Sequence, residues 1–121
     1  METIFTERHQ LRNSKTELFG GELVEPFERP SRAEDIINRV HDVTLGPVNV
    51  PDDFGLGPIL AVHDESFINF LQVAWNDWQK EGFQGEAIPT VWPARRTSTR
   101  IPRFIEGRLG YYALSCETSI S

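Results

Sequence analysis

The chain has 121 residues, 39% hydrophobic and 25% charged, which fits one folded domain rather than a disordered segment. Eighteen acids against twelve lysines and arginines give a net charge of −6, which argues against bulk nucleic-acid binding because that needs a cationic surface. The single cysteine, Cys116, excludes an intrachain disulfide and points to a reducing compartment.

The opening METIFTERHQ lacks the apolar run of a signal peptide, and no apolar stretch approaches the roughly 20 residues of a membrane span. A cytoplasmic protein is the expectation. Residues 2–5 (ETIF) form a short β-prone stretch. Residues 16–30, with Gly20-Gly21, Pro26 and Pro30, read as an acidic loop. Ser31 and Glu34 have capping-box spacing, which places a helix start at Ser31. Ala33, Ile36, Ile37 and Val40 then repeat along one face, and Gly46-Pro47 ends the helix.

Val48 and Val50 predict a short strand before Pro51. A short helix is expected over residues 56–62, with Pro58 in its first turn. A stronger one runs from about Glu65 to Lys80, because Phe67, Phe70, Leu71, Ala74, Trp75 and Trp78 keep helical spacing. Asp64 is its candidate N-cap and Gly82 its stop. Residues 83–104 read as a Pro/Arg-rich insertion loop. Ile105, Leu109, Tyr112, Ala113, Cys116 and Ile120 predict a last helix to the C-terminal end. The fold class is therefore α/β and mainly helical: about four helices with a small parallel βαβ unit in a single domain spanning residues 1–121.

The chemistry-bearing residues are sparse. His9, His41 and His63 have no metal-ligand spacing, so no metal site is expected in this chain. His63 is expected to bond locally and His41 to lie on the polar side of its helix. Cys116 falls on the apolar stripe of the last helix, the usual place of a buried, inert thiol. No nucleophile elbow occurs, and Gly20-Gly21 is too sparse for a phosphate cradle, so no catalytic residue is assigned. Glu17, Glu22, Glu25 and Glu28 cluster in the first loop, and Arg95, Arg96, Arg100 and Arg103 in the second. These loops are either solvated or paired with each other, at roughly 0–1 kcal/mol per surface pair. Alternatively the glutamates, flanked by Phe19 and Phe27, hold an ammonium group by charge and cation–π contact.

The runs HQLRNSKTELFGGELVEPFERPSRAEDI and VHDESFINFLQVAWNDWQKEGFQGEAIPTVWPARRTSTRIPRFIEGRLGYYALSCETSIS resemble the start of the bacterial-type acetylpolyamine amidohydrolases. These belong to the arginase/histone deacetylase superfamily, and the resemblance covers nearly the whole chain. It implies the N-terminal portion of the arginase/deacetylase fold. It also implies zinc-dependent hydrolysis of an acetylamide, carried by paired-histidine, Asp-x-His and Gly-Gly-Tyr segments that do not occur here. By resemblance, Glu17 borders a tunnel that favours a cationic substrate. Phe19 replaces a frequent tyrosine and loses its hydroxyl. Glu106 and Glu117 match acidic positions near the polyamine. Trp92, Arg95, Arg96, Arg100 and Arg103 fall in the insertion that narrows the cleft and builds the family's dimer.

The expectation is a truncated amidohydrolase-like domain with no cofactor of its own, not catalytic alone and self-associating. A homodimer is expected, joined at the edge of residues 2–5 or through the proline-rich loop. A polyamine- or protein-binding module is one alternative. The other is the N-terminal half of a zinc deacetylase completed by a second chain. No nucleic-acid or membrane partner is expected.

Overall fold

The computed structural model describes residues 1–94, 100–113, 115, 119 and 120. Two short strands, β1 (Thr3–Ile4) and β4 (Val48–Asn49), pair in parallel with Thr3 opposite Val48 and Ile4 opposite Asn49. Between them lie a 3₁₀ turn (Glu7–Leu11), the strands β2 (Glu17–Phe19) and β3 (Glu22–Val24), and the helix α1 (Pro30–Asp42). After β4 come α2 (Gly57–Leu60), α3 (Glu65–Lys80) and α4 (Ile105–Tyr112). The α/β character, the four helices and the parallel strand pair agree with the sequence reading.

The segment read as an acidic loop contains an antiparallel hairpin instead. Glu17, Leu18 and Phe19 face Val24, Leu23 and Glu22. Gly20 and Gly21 close it with φ of +60° and +88°, the double left-handed turn that matches strand twist and that two glycines adopt without strain. The start of α1 also differs. Pro30 opens it, with Arg29 at the N-cap and no side-chain cap. Proline is pre-set for that position, so Ser31 lies inside the first turn and no capping box forms. Glu34 instead accepts a hydrogen bond from Gln10 Nε2 at 3.1 Å.

The helix ends at Asp42, earlier than Gly46-Pro47. Leu45 N–H reaches back to Val40 O and Thr44 N–H to His41 O, a Schellman closure that puts Thr44 at φ +50°. Ile37 and Val40 turn inward, whereas Ile36 is 64% exposed. His41 is exposed, as expected for the polar side of α1.

Helix α3 has the predicted limits. Asp64 stands at its N-cap, but its side chain makes no capping bond; its carbonyl accepts from Phe67 and Ile68 instead. The C-terminal end is a full Schellman motif: Phe83 N–H bonds Trp78 O, Gly82 N–H bonds Gln79 O, and Gly82 takes φ +93°. The apolar contact that accompanies such a motif is the stack of Phe83 on Trp78, with centroids 4.0 Å apart.

Helix α4 ends at Tyr112 rather than running to the C-terminus. Ala113 is extended (ψ 145°), and Ile120 makes an antiparallel bridge with Ala87 through two backbone hydrogen bonds of 2.9 and 3.2 Å. The helical spacing beyond Tyr112 is overridden by this pairing. Cys116 lies outside the described residues.

The core sits between α3 and α4. Phe70, Ala74, Trp78, Ala87, Ile105 and Leu109 form it, with Phe67, Trp75, Phe83, Tyr112 and Ile120 packed around. Polar bonds fix the helix pair. Glu81 Oε1 accepts from the Ile105 N–H at 3.0 Å, satisfying a free donor at the start of α4. Arg108 Nη2 donates to Asp77 Oδ2 at 2.9 Å.

Candidate functional site: an acidic hairpin and an aromatic groove

The β2–β3 hairpin brings together part of the predicted acidic site. Glu17 Oε2 accepts the Phe27 N–H at 3.0 Å, closing the loop that follows β3. That bond sets Phe27 against Phe19, edge to face, with centroids 5.8 Å apart. Both rings are largely exposed, so two aromatic surfaces stand in water close to the Glu17 carboxylate. Glu25 and Glu28 are engaged elsewhere, in ion pairs with Arg29 and Arg32, each four residues on. The two acids nearest the turn, Glu17 and Glu22, thus supply the negative character of the hairpin. A cation seated between carboxylate and ring faces gains about 0.5–1 kcal/mol from an exposed cation–π contact.

The anchor of this hairpin was not anticipated from sequence. Glu86, just after α3, accepts Lys15 N–H at 2.7 Å, Thr16 N–H at 2.9 Å and Thr16 Oγ1–H at 2.5 Å. Burial alone would raise its carboxyl pKa. The Thr16 hydroxyl, the two backbone N–H groups and the Lys15 ammonium outweigh burial and hold it below the usual carboxylate range. Ser14 Oγ and Ser119 Oγ, 2.9 Å apart, tie the same stretch to the C-terminal segment.

A lowered folded-state pKa stabilises the fold above the unfolded value of about 4.3, and that contribution disappears as pH falls through the folded value. Glu86→Gln is therefore expected to cost about 1 kcal/mol at pH 7, modest because the group is only partly buried. The difference from the parent chain should shrink toward pH 3. Urea midpoints at the two pH values check this, and an equal difference at both would refute it.

The second feature is an open groove of about 780 Å³ between the start of α3, the end of α4 and residues 89–93. Phe67, Phe70 and Tyr112 form its aromatic side, and Tyr112 stacks on Phe70 with centroids 4.5 Å apart. His63 and Asp64 lie on its lining, and the His63 ring is 5.7 Å from that of Phe67. The His63 backbone N–H bonds Ile59 O at 2.9 Å. Trp92 also lines the groove and donates Nε1–H to Ala113 O at 3.3 Å. With aromatic walls and the polar groups of His63, Asp64 and Ser66 on its lining, the groove suits an extended occupant that has both apolar and polar parts.

The remaining predicted positions are dispersed. Glu106 is exposed in the first turn of α4, on a different element from the hairpin. Arg100 is exposed ahead of α4, and the Arg103 guanidinium lies 5.6 Å from the Phe104 ring centroid. Arg95, Arg96 and Glu117 lie outside the described residues. Among the described residues, no group of three or more His, Cys, Asp or Glu could hold a metal ion. They do not fit the zinc that the resemblance implies. No helix among them is long and apolar enough to cross a membrane.

A fold of this kind is known from a solved enzyme. An acetylpolyamine aminohydrolase from Burkholderia pseudomallei superposes with a TM-score of 0.81 at 27% identity, over 97% of this chain and 33% of its own. The fold is thus an α/β segment of the acetylpolyamine aminohydrolase type. In sequence, the chain is 53% identical over 121 residues to the acetylpolyamine amidohydrolase of Mycoplana ramosa, covering all of this chain and 36% of that protein. It is 45% identical to acetylpolyamine amidohydrolase 2 of Pseudomonas aeruginosa, covering 35% of that protein. No family model matches. The chain is acetylpolyamine amidohydrolase-like and matches the N-terminal part of these proteins, spanning about a third of the length of the curated relatives.

Proposed function

We propose that the chain supplies the mouth and one wall of an acetylpolyamine amidohydrolase site and does not hydrolyse substrate by itself. The observation that carries this reading is the full-length match at 53% identity to only 36% of a relative. In this reading Glu17 and Phe19, with Phe27 held against them, attract the cationic part of an acetylated polyamine. The zinc that the resemblance implies would be held by the part of such a fold that this chain does not match, and it would polarise the acetyl carbonyl there.

The experiment compares two proteins. One is the 121-residue chain supplied with zinc. The other is a chimera in which the same 121 residues replace the matched segment of the Mycoplana ramosa enzyme. The chain alone is expected to release no acetate from an acetylated polyamine, whereas the chimera does so in a chelator-sensitive way. Chelator-sensitive release by the chain alone, or an inert chimera, would overturn the reading.

A further inference from the structure

The β2–β3 hairpin carries Glu17 and Phe19 but has little support of its own. A two-stranded hairpin is marginal in water. Its strands pack chiefly on each other, and Phe19, Leu23 and the nearby Phe27 are exposed. The place of the Glu17 carboxylate and of the two rings must therefore be fixed from outside the hairpin.

Glu86 is held so that it can do this. Its neighbours on both sides are clamped. Trp78, a core residue, donates Nε1–H to Gly85 O at 2.6 Å. Ala87 is fully buried and exchanges two backbone hydrogen bonds with Ile120. The residue between them has little freedom, so its carboxylate is a fixed post. Both oxygens of that post face the chain entering β2. Oε1 accepts Lys15 N–H, and Oε2 accepts both the N–H and the hydroxyl of Thr16. Thr16 is thus gripped by main chain and side chain together, and Glu17 is the next residue. An amide at position 86 would offer one acceptor oxygen and turn a donor toward the other oxygen's partners. With its oxygens occupied by Lys15 and Thr16, Glu86 acts on the hairpin and not on a ligand.

We infer that Glu86 is a positioning residue: through Thr16 it sets where Glu17 and Phe19 stand, and thereby the affinity for a cationic substrate. The inference rests on the function proposed above, in which the hairpin receives the cationic part of an acetylated polyamine.

The test measures KM and kcat of the chimera for an acetylated polyamine. Thr16→Val removes the hydroxyl at nearly constant shape and changes no charge, whereas Thr16→Ser keeps the hydroxyl. Glu86→Gln is expected to raise KM about five-fold and Thr16→Val about three-fold, the size of one weakened charge or cation–π contact, with kcat unchanged. Thr16→Ser should restore the KM of the parent chimera. Glu17→Gln, which removes the contact itself, should raise KM at least as much as Glu86→Gln.

A raised KM in Glu17→Gln alone would overturn the inference and leave the proposed function standing. A lower kcat at unchanged KM in Glu86→Gln and Thr16→Val would mean that these residues only keep the protein folded, and would also overturn it. A raised KM in Glu86→Gln with Thr16→Val like the parent would trace the effect to the lost charge instead of to position, with the same consequence. Glu17→Gln with the parent's KM would remove the hairpin's part in the proposed function and the inference with it.

Discussion

Replacing Ile105 with alanine is expected to cost about 3 kcal/mol of folding stability, and the same change at Ile36 less than about 0.5 kcal/mol. Ile105 is fully buried, at 0% exposure, at the first position of α4. It packs in the cluster formed by Phe70, Ala74, Trp78, Ala87 and Leu109. Truncation there removes three carbons' worth of burial and leaves a cavity. The surroundings are poorly placed to collapse into it, because Glu81 fixes the Ile105 backbone and the Arg108–Asp77 pair fixes the next turn. Ile36 belongs to the same apolar repeat as Ile37 and Val40 but stands 64% exposed, so its truncation removes little packing. Urea denaturation of both variants with an unchanged slope checks the contrast. Equal losses at the two positions would show that the α3–α4 cluster is not the stabilising core.

This contrast also marks what the sequence conveys. Helix α3 is legible because its signals are local: apolar residues every three or four positions, then Gly82 where a left-handed residue is required. The hairpin was legible in principle. A Gly-Gly pair between Glu17–Phe19 and Glu22–Val24 is a two-residue hairpin turn, and the prolines at 26 and 30 mask it because proline-containing stretches equally mark loops. The true start of α1 was signalled by Pro30, which outranks the Ser31–Glu34 spacing because it fixes the backbone whether or not a side chain caps it.

The end of α4 was not legible. The helical spacing of Cys116 and Ile120 continues past Tyr112, and only the pairing of Ile120 with Ala87, 33 positions earlier, decides against it. Of the candidate site, Glu17 was singled out through resemblance. Its structural use, holding Phe27 against Phe19, depends on a loop conformation that spacing does not encode. Glu86 carried no signal at all. It is a lone acid between Gly85 and Ala87 whose three hydrogen-bond donors lie some 70 residues away.

Gly110→Ala is the substitution in which helix propensity and tertiary packing oppose each other most sharply. An exposed glycine inside a helix normally gains about 1 kcal/mol on becoming alanine. Here the added Cβ would fall 1.6 Å from Val91 O, 2.7 Å from Val91 C and 3.2 Å from Trp92 Cα. The obstacle is backbone, so no side-chain rotation relieves it, and residues 91–92 must lift off α4. Lifting them breaks the bond from Trp92 Nε1 to Ala113 O and opens the wall of the groove that Trp92 and Tyr112 share. Overpacking of this kind costs about 3 kcal/mol, so the net expected loss is about 2 kcal/mol despite the better helix former. Gly85→Ala, where the added carbon meets nothing within 4 Å, is the matching control and should change stability little. Urea midpoints give the energies, and tryptophan fluorescence reports whether Trp92 has moved. A Gly110→Ala chain as stable as its parent, with an unshifted emission maximum, would mean that residues 91–92 do not cross α4 at this point.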